Sequence, residues 1–316
     1  MPPNSHLPTE SRGRHRSSRM QRFGSRSLAA VLTAALSLGL SGCFSAHVRA
    51  VNRTVVAPTV LEATLEQLLA HLATQDAAIQ TLTASVDITA STGGEHEGEV
   101  KEYPAFAGYI FLRRPTDLHL LMLVPVLRSR ALEMTSDGKQ FKLLIPSKNR
   151  AVEGADEPSS SSKTGIESLR PYMIRDAMLI PTASPEEFVS LTKSSRILPP
   201  PPGKKESIEE PDYDITILRT TTDHIQETVR VIHFGRITLQ PYEQDIYDRD
   251  GRIVTTVQYS KYQKFGELQY PTRLIISRPI DEFKLKLDIT KLVINQRLDD
   301  EQFVLDIPAG VPIQKM

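Results

Sequence analysis

The sequence predicts a mainly β (α+β) domain of about 10–12 antiparallel strands with two or three helices, and three observations predict it. Apolar residues alternate with polar ones along most of residues 81–153 and 212–306. Turn signals such as Asp137-Gly138 and Asp250-Gly251 separate these runs. Only two segments, one after Pro58 and one around Pro171, carry helical spacing.

The chain begins with a segment of another kind. Six of its 38 basic side chains, Arg12, Arg14, Arg16, Arg19, Arg22 and Arg26, and one of its 38 acidic ones, Glu10, precede an apolar run over residues 28–40. Leu40-Ser41-Gly42-Cys43 follows, which completes the basic, apolar and small-residue order of an export signal. Met20 opens a signal of more ordinary length, so residues 1–19 are expected to come from an upstream start. An uncleaved anchor is the alternative, because no charged residue occurs from Ser27 to Val48. Either way the positive-inside bias places the remainder outside the cytoplasm. Once residues 1–42 are set aside the balance is about five negative, which argues against a nucleic-acid binder. Cys43 is the single cysteine, so internal disulfides, redox pairs and cysteine zinc sites are excluded.

Residues 43–58 read as a tether and 59–316 as one folded domain. Thr59 with Glu62 forms a capping-box pattern opening a helix, with Leu61, Leu65, Leu68, Leu69 and Leu72 on one stripe. From Leu82 the period becomes two: Leu82, Ala84, Val86 and Ile88 predict a strand, and TGGEHEGE a polar turn. AFAGYIFLRR, DLHLLMLV, SRALEMTS, KQFKLLIP and NRAVEG predict the next strands. Gly154–Lys163 reads as a solvated loop, Ile166–Ile180 as a short helix interrupted or started by Pro171, and Pro199–Pro202 with GKKESIEEPD as an extended second loop. Strand character returns from DYDITILRT through ETVRVIHFGRITLQ, YEQDIYDR, RIVTTVQYSKYQ, LQYPTRLIISRP and EFKLKLDITKLVIN to FVLDIP. The breaks are too short for domain boundaries, so one antiparallel domain is the simplest architecture.

Motifs for catalysis are missing: the chain has no GxSxG, GxGxxG, P-loop, HExxH or EF-hand pattern, and an enzyme is not expected. Glu95-His96-Glu97 reads as a hydrated turn rather than a metal site. His119, His224 and His233 sit in or beside strands, and Asp245 with Asp248 and Asp299 with Asp300 read as turn residues. Arg113-Arg114 has two readings, a solvated strand end or a rim that meets anionic headgroups. Leu120 to Leu127 is apolar throughout; a buried strand explains its first half but not Val126 and Leu127, which fall where the chain turns.

The residues around Cys43 resemble a bacterial lipoprotein signal with its lipobox, which implies a covalent lipid on Cys43, cleavage before it, and no other cofactor. GYIFLRRPTDLHL, VPVLRSRALEM, SDGKQFKLLIP, Leu169-Arg170-Pro171 and the closing LDDEQFVLDIPAGVP, in that order, resemble the LolA/LolB superfamily of periplasmic lipoprotein carriers and acceptors. LLMLVPVLRSRALEM and the lipobox are more similar to the lipid-anchored LolB-type acceptor. The resemblance implies an unclosed half-barrel whose helices cover an apolar cavity, lined by Leu65, Leu68, Leu69, Leu72, Ile110, Leu121, Leu123 and Phe141. It implies a membrane-transfer loop at Val126 or Leu127. Its partners would be acylated lipoproteins or lipids, a periplasmic LolA-like carrier and the membrane through the anchor, with the chain a monomer. It places the chain on the outer membrane facing the periplasm, a location that Phe44 after Cys43 favours. A lipid-sensing regulator or scaffold of the same fold, binding a protein partner, stays open beside the acceptor reading.

Overall fold

A computed structural model describes residues 53–56, 59–156 and 169–316. Cys43, Phe44 and the export signal lie outside the described residues. Sixteen strands join one sheet. They are β1 (Thr54–Val56), β2 (Thr81–Thr92), β3 (Lys101–Glu102), β4 (Phe106–Arg113), β5 (Asp117–Leu123), β6 (Arg130–Ser136), β7 (Gln140–Ile145) and β8 (Arg150–Ala155). The second half contributes β9 (Phe188–Leu198), β10 (Ser207–Thr220), β11 (Gln226–Gly235), β12 (Gln240–Tyr247), β13 (Ile253–Phe265), β14 (Leu268–Arg278), β15 (Phe283–Ile294) and β16 (Ile313–Lys315). Among the described residues two α-helices accompany them, α1 (Leu65–Ala78) and α2 (Pro171–Met178), and neither is long and apolar enough to cross a membrane.

The sheet is two antiparallel meanders, β2-β4-β5-β6-β7-β8 and β10 to β15, joined where β15 pairs with β2. That seam sets Leu287 beside Ile88 and Ile289 beside Val86, so residues 200 positions apart share one inner face. The sheet does not close: β9 flanks β10 at one edge, and β16 lies parallel to β8 at the other. Gly108 sits in β4 where a Cβ would stand 2.7 Å from Ile88 Cδ1 and 3.0 Å from the Leu121 carbonyl. Only glycine allows the strands to come this close.

Several expectations are corrected by what the chain pairs with. The capping box that opens α1 is Thr64 with Gln67, not Thr59 with Glu62. Both pairs have the same spacing, but Leu61 donates its N–H to the Arg236 carbonyl at 2.7 Å and stays extended, while Glu62 accepts the Tyr213 hydroxyl at 2.7 Å. Gly154 belongs to β8 rather than a loop, and the charged SIEEPD lies inside β10 because β9, a strand the pattern did not announce, pairs along it. FVLDIP is not a strand: a 3₁₀ turn ends at Phe303, and the final strand is β16. Asp245 lies within β12 rather than in a turn. The helix of the middle segment starts at Pro171, whose missing N–H costs nothing in the first turn.

Arg113 and Arg114 are consumed by the fold and form no rim. Arg114 donates to the carbonyls of Ile79 and Asp76 at 2.8 and 3.1 Å and pairs with the Asp76 carboxylate, so it caps the C-terminus of α1. Arg113 pairs with Asp117 and Asp300, both at 2.7 Å, and covers the Phe303 ring.

The register of β5 gives a direct test. Leu120 pairs with Ile110 and is buried, whereas Leu121 pairs with Tyr109 on the other face. Leu120→Ala should cost about 2–5 kcal/mol in denaturant unfolding, and Leu121→Ala less than half as much. Equal losses would contradict this register.

Candidate functional site

The inner face is built by alternation. Leu82, Val86 and Ile88 of β2 continue into Ile110 and Leu112 of β4, then Leu118, Leu120 and Met122 of β5, and on the other side into Leu285 and Leu287 of β15. All are buried, and no second sheet covers them. What covers them is α2 with the residue two before it: Leu169, Met173, Ile174, Ala177 and Met178 are each 3% exposed or less. Spacing explains the fit, since Met173 with Ala177 and Ile174 with Met178 fall on one side of the helix.

Of the eight side chains expected to line one cavity, Ile110 and Phe141 lie in this cluster under α2. Leu68 and Leu72 belong to a separate cluster with Tyr213, Ile215, Ile217, Ile232 and Phe234 of β10 and β11, and Leu65 and Leu69 pack at its edge. Leu121 and Leu123 are on the opposite face of β5, so their assignment to the lining is corrected. Eight consecutive apolar residues carry no phase; pairing with β4 sets it.

Polar contacts hold α2 at both ends. At its C-terminal end the Asp176 carbonyl accepts from Gln244 Nε2 at 2.9 Å and the Met178 carbonyl from the Tyr270 hydroxyl at 2.7 Å. These satisfy helix carbonyls that would otherwise be buried without donors. Arg175 pairs with Asp156 at 3.0 Å, and Asp156 also accepts the Tyr172 N–H and the Ser136 hydroxyl. Arg230 reaches Asp176 at 3.4 Å. Burial pushes the Asp176 carboxyl above its usual range, with Arg230 and Arg175 opposing the shift, and burial also pushes the Tyr270 phenol up. A cavity between α1, α2 and β13–β14 is about 30 Å³, bounded by Leu72, Ile79, Met178, Tyr259 and Tyr270, and a more open one of about 300 Å³ lies at the end of β2, β14 and β15, bounded by Gly93, Val100, Arg278 and Phe283. The first holds one or two waters, whereas small-molecule pockets run to roughly 300–1,000 Å³. With α2 seated, the inner face is full.

The turn between β5 and β6 is different in kind. Val124 donates its N–H to the Ser129 carbonyl at 2.8 Å, Leu127 donates to that of Pro125 at 2.8 Å and Arg128 to that of Val124 at 3.0 Å. With its backbone closed on itself, the turn extends its side chains outward: Val126 is 97% exposed and Leu127 78%. Val126 has φ 67°, a left-handed conformation that costs a β-branched residue about 1–3 kcal/mol.

The histidines are engaged elsewhere. His119 lies 2.6 Å from the Gln302 carbonyl and 2.9 Å from Glu133. His96 lies 2.7 Å from Glu282, which also accepts the His96 and Glu97 N–H groups and so pins the Glu95–Glu97 turn. His224 stands in the β10–β11 turn, its N–H donated to Thr221. His233 is flanked by Asp214 and Asp245; burial opposes its charge, but the hydrogen bond to Asp214 and attraction from both carboxylates hold its pKa up at about 9. Sequence reasoning missed this cluster, because its acids come from different strands.

No protein-family model matches the chain, and no curated protein matches it. Solved structures similar to it include a LolA superfamily protein from Nitrosomonas europaea (12% identity, TM-score 0.47, covering 77% of this chain and 99% of that one). A DUF1329 family protein from Desulfovibrio piger is similar at 18% identity and TM-score 0.48, covering 75% and 94%. A domain from Vibrio parahaemolyticus that bears the name of an outer-membrane lipoprotein-sorting protein is similar at 11% identity and TM-score 0.46, again covering 75% and 94%.

Proposed function

We propose that this chain is a lipid-anchored envelope protein that binds the acyl chains of lipoproteins or lipids on the inner face of its sheet and passes them to the outer membrane. The observation that carries this reading is that a strongly apolar sheet face is covered by an eight-residue helix rather than by a second sheet. Such a cover can leave.

The energies are matched for exchange. Leu169, Met173, Ile174 and Met178 together contribute about 6–12 kcal/mol by burial, and one chain of about sixteen carbons gains about 13 kcal/mol at 0.8 kcal/mol per CH₂. One acyl chain taking the place of α2 therefore gains only about 1–7 kcal/mol net, which keeps the exchange of that chain reversible. An open cavity of the same area would hold its cargo too tightly to release it. The Val126–Leu127 tip, exposed and apolar at the end of a hairpin, suits insertion into a bilayer surface. Anchoring at Cys43 and delivery from a LolA-like carrier complete the reading, with the outer membrane as destination.

Two experiments test it. The Val126→Glu/Leu127→Glu double variant should still bind a triacylated lipopeptide but lose its transfer to liposomes by tenfold or more; undiminished transfer contradicts the role of the tip. Arg175→Met, which removes the tie to Asp156, should raise the rate of lipopeptide uptake while lowering stability by about 1–3 kcal/mol. Uptake unchanged or slowed would show that α2 does not gate the face.

A regulatory or scaffold reading is favoured by one feature. Among the described residues β9 pairs only with β10, which leaves an eleven-residue edge with Phe188 and Ile197 exposed. Co-purification of a protein partner without acylated cargo would select it.

A further inference from the structure

The outer face of β10 to β12 holds a cluster of side chains that the acyl-binding reading does not use. Alternation sends Ile232 and Phe234 inward to the α1 cluster and turns His233 outward. Cross-strand pairing places Asp214 on one side of His233 and Glu243 on the other, with Asp245 two residues further along β12.

One ring nitrogen is fixed and the other is not. His233 Nδ1 lies 2.7 Å from Asp214 Oδ1, and the Ser194 hydroxyl donates to the second oxygen of Asp214 at 2.6 Å. Nε2 is buried without a hydrogen-bond partner. It faces Asp245 Oδ2 at 3.5 Å, and one donor atom from each of His233, Glu243 and Asp245 lies within 4.8 Å of the other two. A gap of 3.5 Å is too long for a charge-assisted hydrogen bond, which closes to about 2.7–2.9 Å. It is close to the roughly 3.3 Å that separates two ligands on a tetrahedral ion with bonds of about 2.0–2.1 Å. The remaining acceptors are held in place: Thr256 donates to Asp245 at 2.6 Å and Gln258 to Glu243 at 2.9 Å.

We propose that His233 Nε2, Glu243 and Asp245 bind one divalent transition-metal ion, with Zn²⁺ the best match to one imidazole and two carboxylates. Asp214 is the outer carboxylate that receives Nδ1–H and aims Nε2, the arrangement that metal-bound histidines commonly use. The ion takes the place of the proton that the two aspartates otherwise keep on the ring, and that proton leaves to solvent. With three protein ligands the fourth position is left to water. Because the ligands sit on β11 and β12, the ion ties β12 to the strand whose opposite face packs against α1.

The test is calorimetric titration of the chelator-treated full-length protein with ZnSO₄, with MgCl₂ alongside. The wild type should bind one more equivalent of Zn²⁺, at micromolar concentration or tighter, than either His233→Ala or Glu243→Gln, with no comparable Mg²⁺ binding. Asp214→Asn should weaken that equivalent by about 10–100-fold. At a hundredfold excess over its dissociation constant, Zn²⁺ should raise the wild-type thermal midpoint by roughly 5 °C or more and leave Glu243→Gln unmoved. Circular dichroism identifies a variant that fails to fold, and Glu243→Gln, conservative in shape, decides if His233→Ala does not fold. Equal Zn²⁺ stoichiometry in wild type and folded variants, or none in the wild type, overturns the proposal.

Discussion

The structure depends on one constraint, an apolar sheet face that has no second sheet to lie against. Period-two alternation along β2, β4, β5 and β15 gathers leucine, isoleucine, valine and methionine side chains on the same side, and the β15–β2 seam makes that side continuous across both meanders. Water cannot be left on it. A sandwich would solve the problem with another sheet of equal area, but here two short helices share the task. Helix α1 takes the β10–β11 part and α2 takes the rest. Polar contacts then fix how the helices sit: Arg114 finishes α1, and Gln244 with Tyr270 finishes α2.

The proposed function turns on how α2 is held. Its apolar side is complementary to the sheet, yet its polar attachments are a handful of side-chain contacts, and the helix is barely two turns long. An acyl chain offers the sheet the same kind of surface as Met173, Ile174 and Met178. Competition between helix and hydrocarbon for one face needs no large preformed cavity, which fits the roughly 30 Å³ left beside α2. The exposed Val126–Leu127 turn stands apart from this economy, because nothing in the fold requires two apolar side chains there and the backbone at Val126 is strained to present them.

Much of this was legible in the residues. Alternation from Leu82 to Ile88, from Phe106 to Arg113 and across the Asp137-Gly138 hairpin located strands whose ends agree closely with the sheet, since their polar halves face solvent. Legibility failed where pattern gave no phase or where pairing was non-local. Leu121 and Leu123 could not be told from Leu120 and Met122 within a continuous apolar run. Thr59 with Glu62 reads as the capping box of α1; Thr64 with Gln67 has the same spacing, and only the distant Arg236 and Tyr213 decide between them. β9 escaped notice because an edge strand needs no apolar alternation. The helix stripe Leu65 to Leu72 and the strands of residues 212–234 were readable, but not that one packs on the other, 140 or more residues later. For the same reason the acids around His233 were invisible as a group: Asp214, His233 and Asp245 become neighbours only across three strands.

The central claim is that hydrocarbon and α2 occupy the same face in turn. Amide hydrogen exchange over Pro171–Met178, measured with and without a bound triacylated lipopeptide whose presence is verified by mass, tests it most directly. The account predicts that loading speeds exchange in α2 by tenfold or more while the β2 and β15 amides of the seam keep their protection. Protection of α2 that stays constant or rises in the lipid-loaded protein would contradict it.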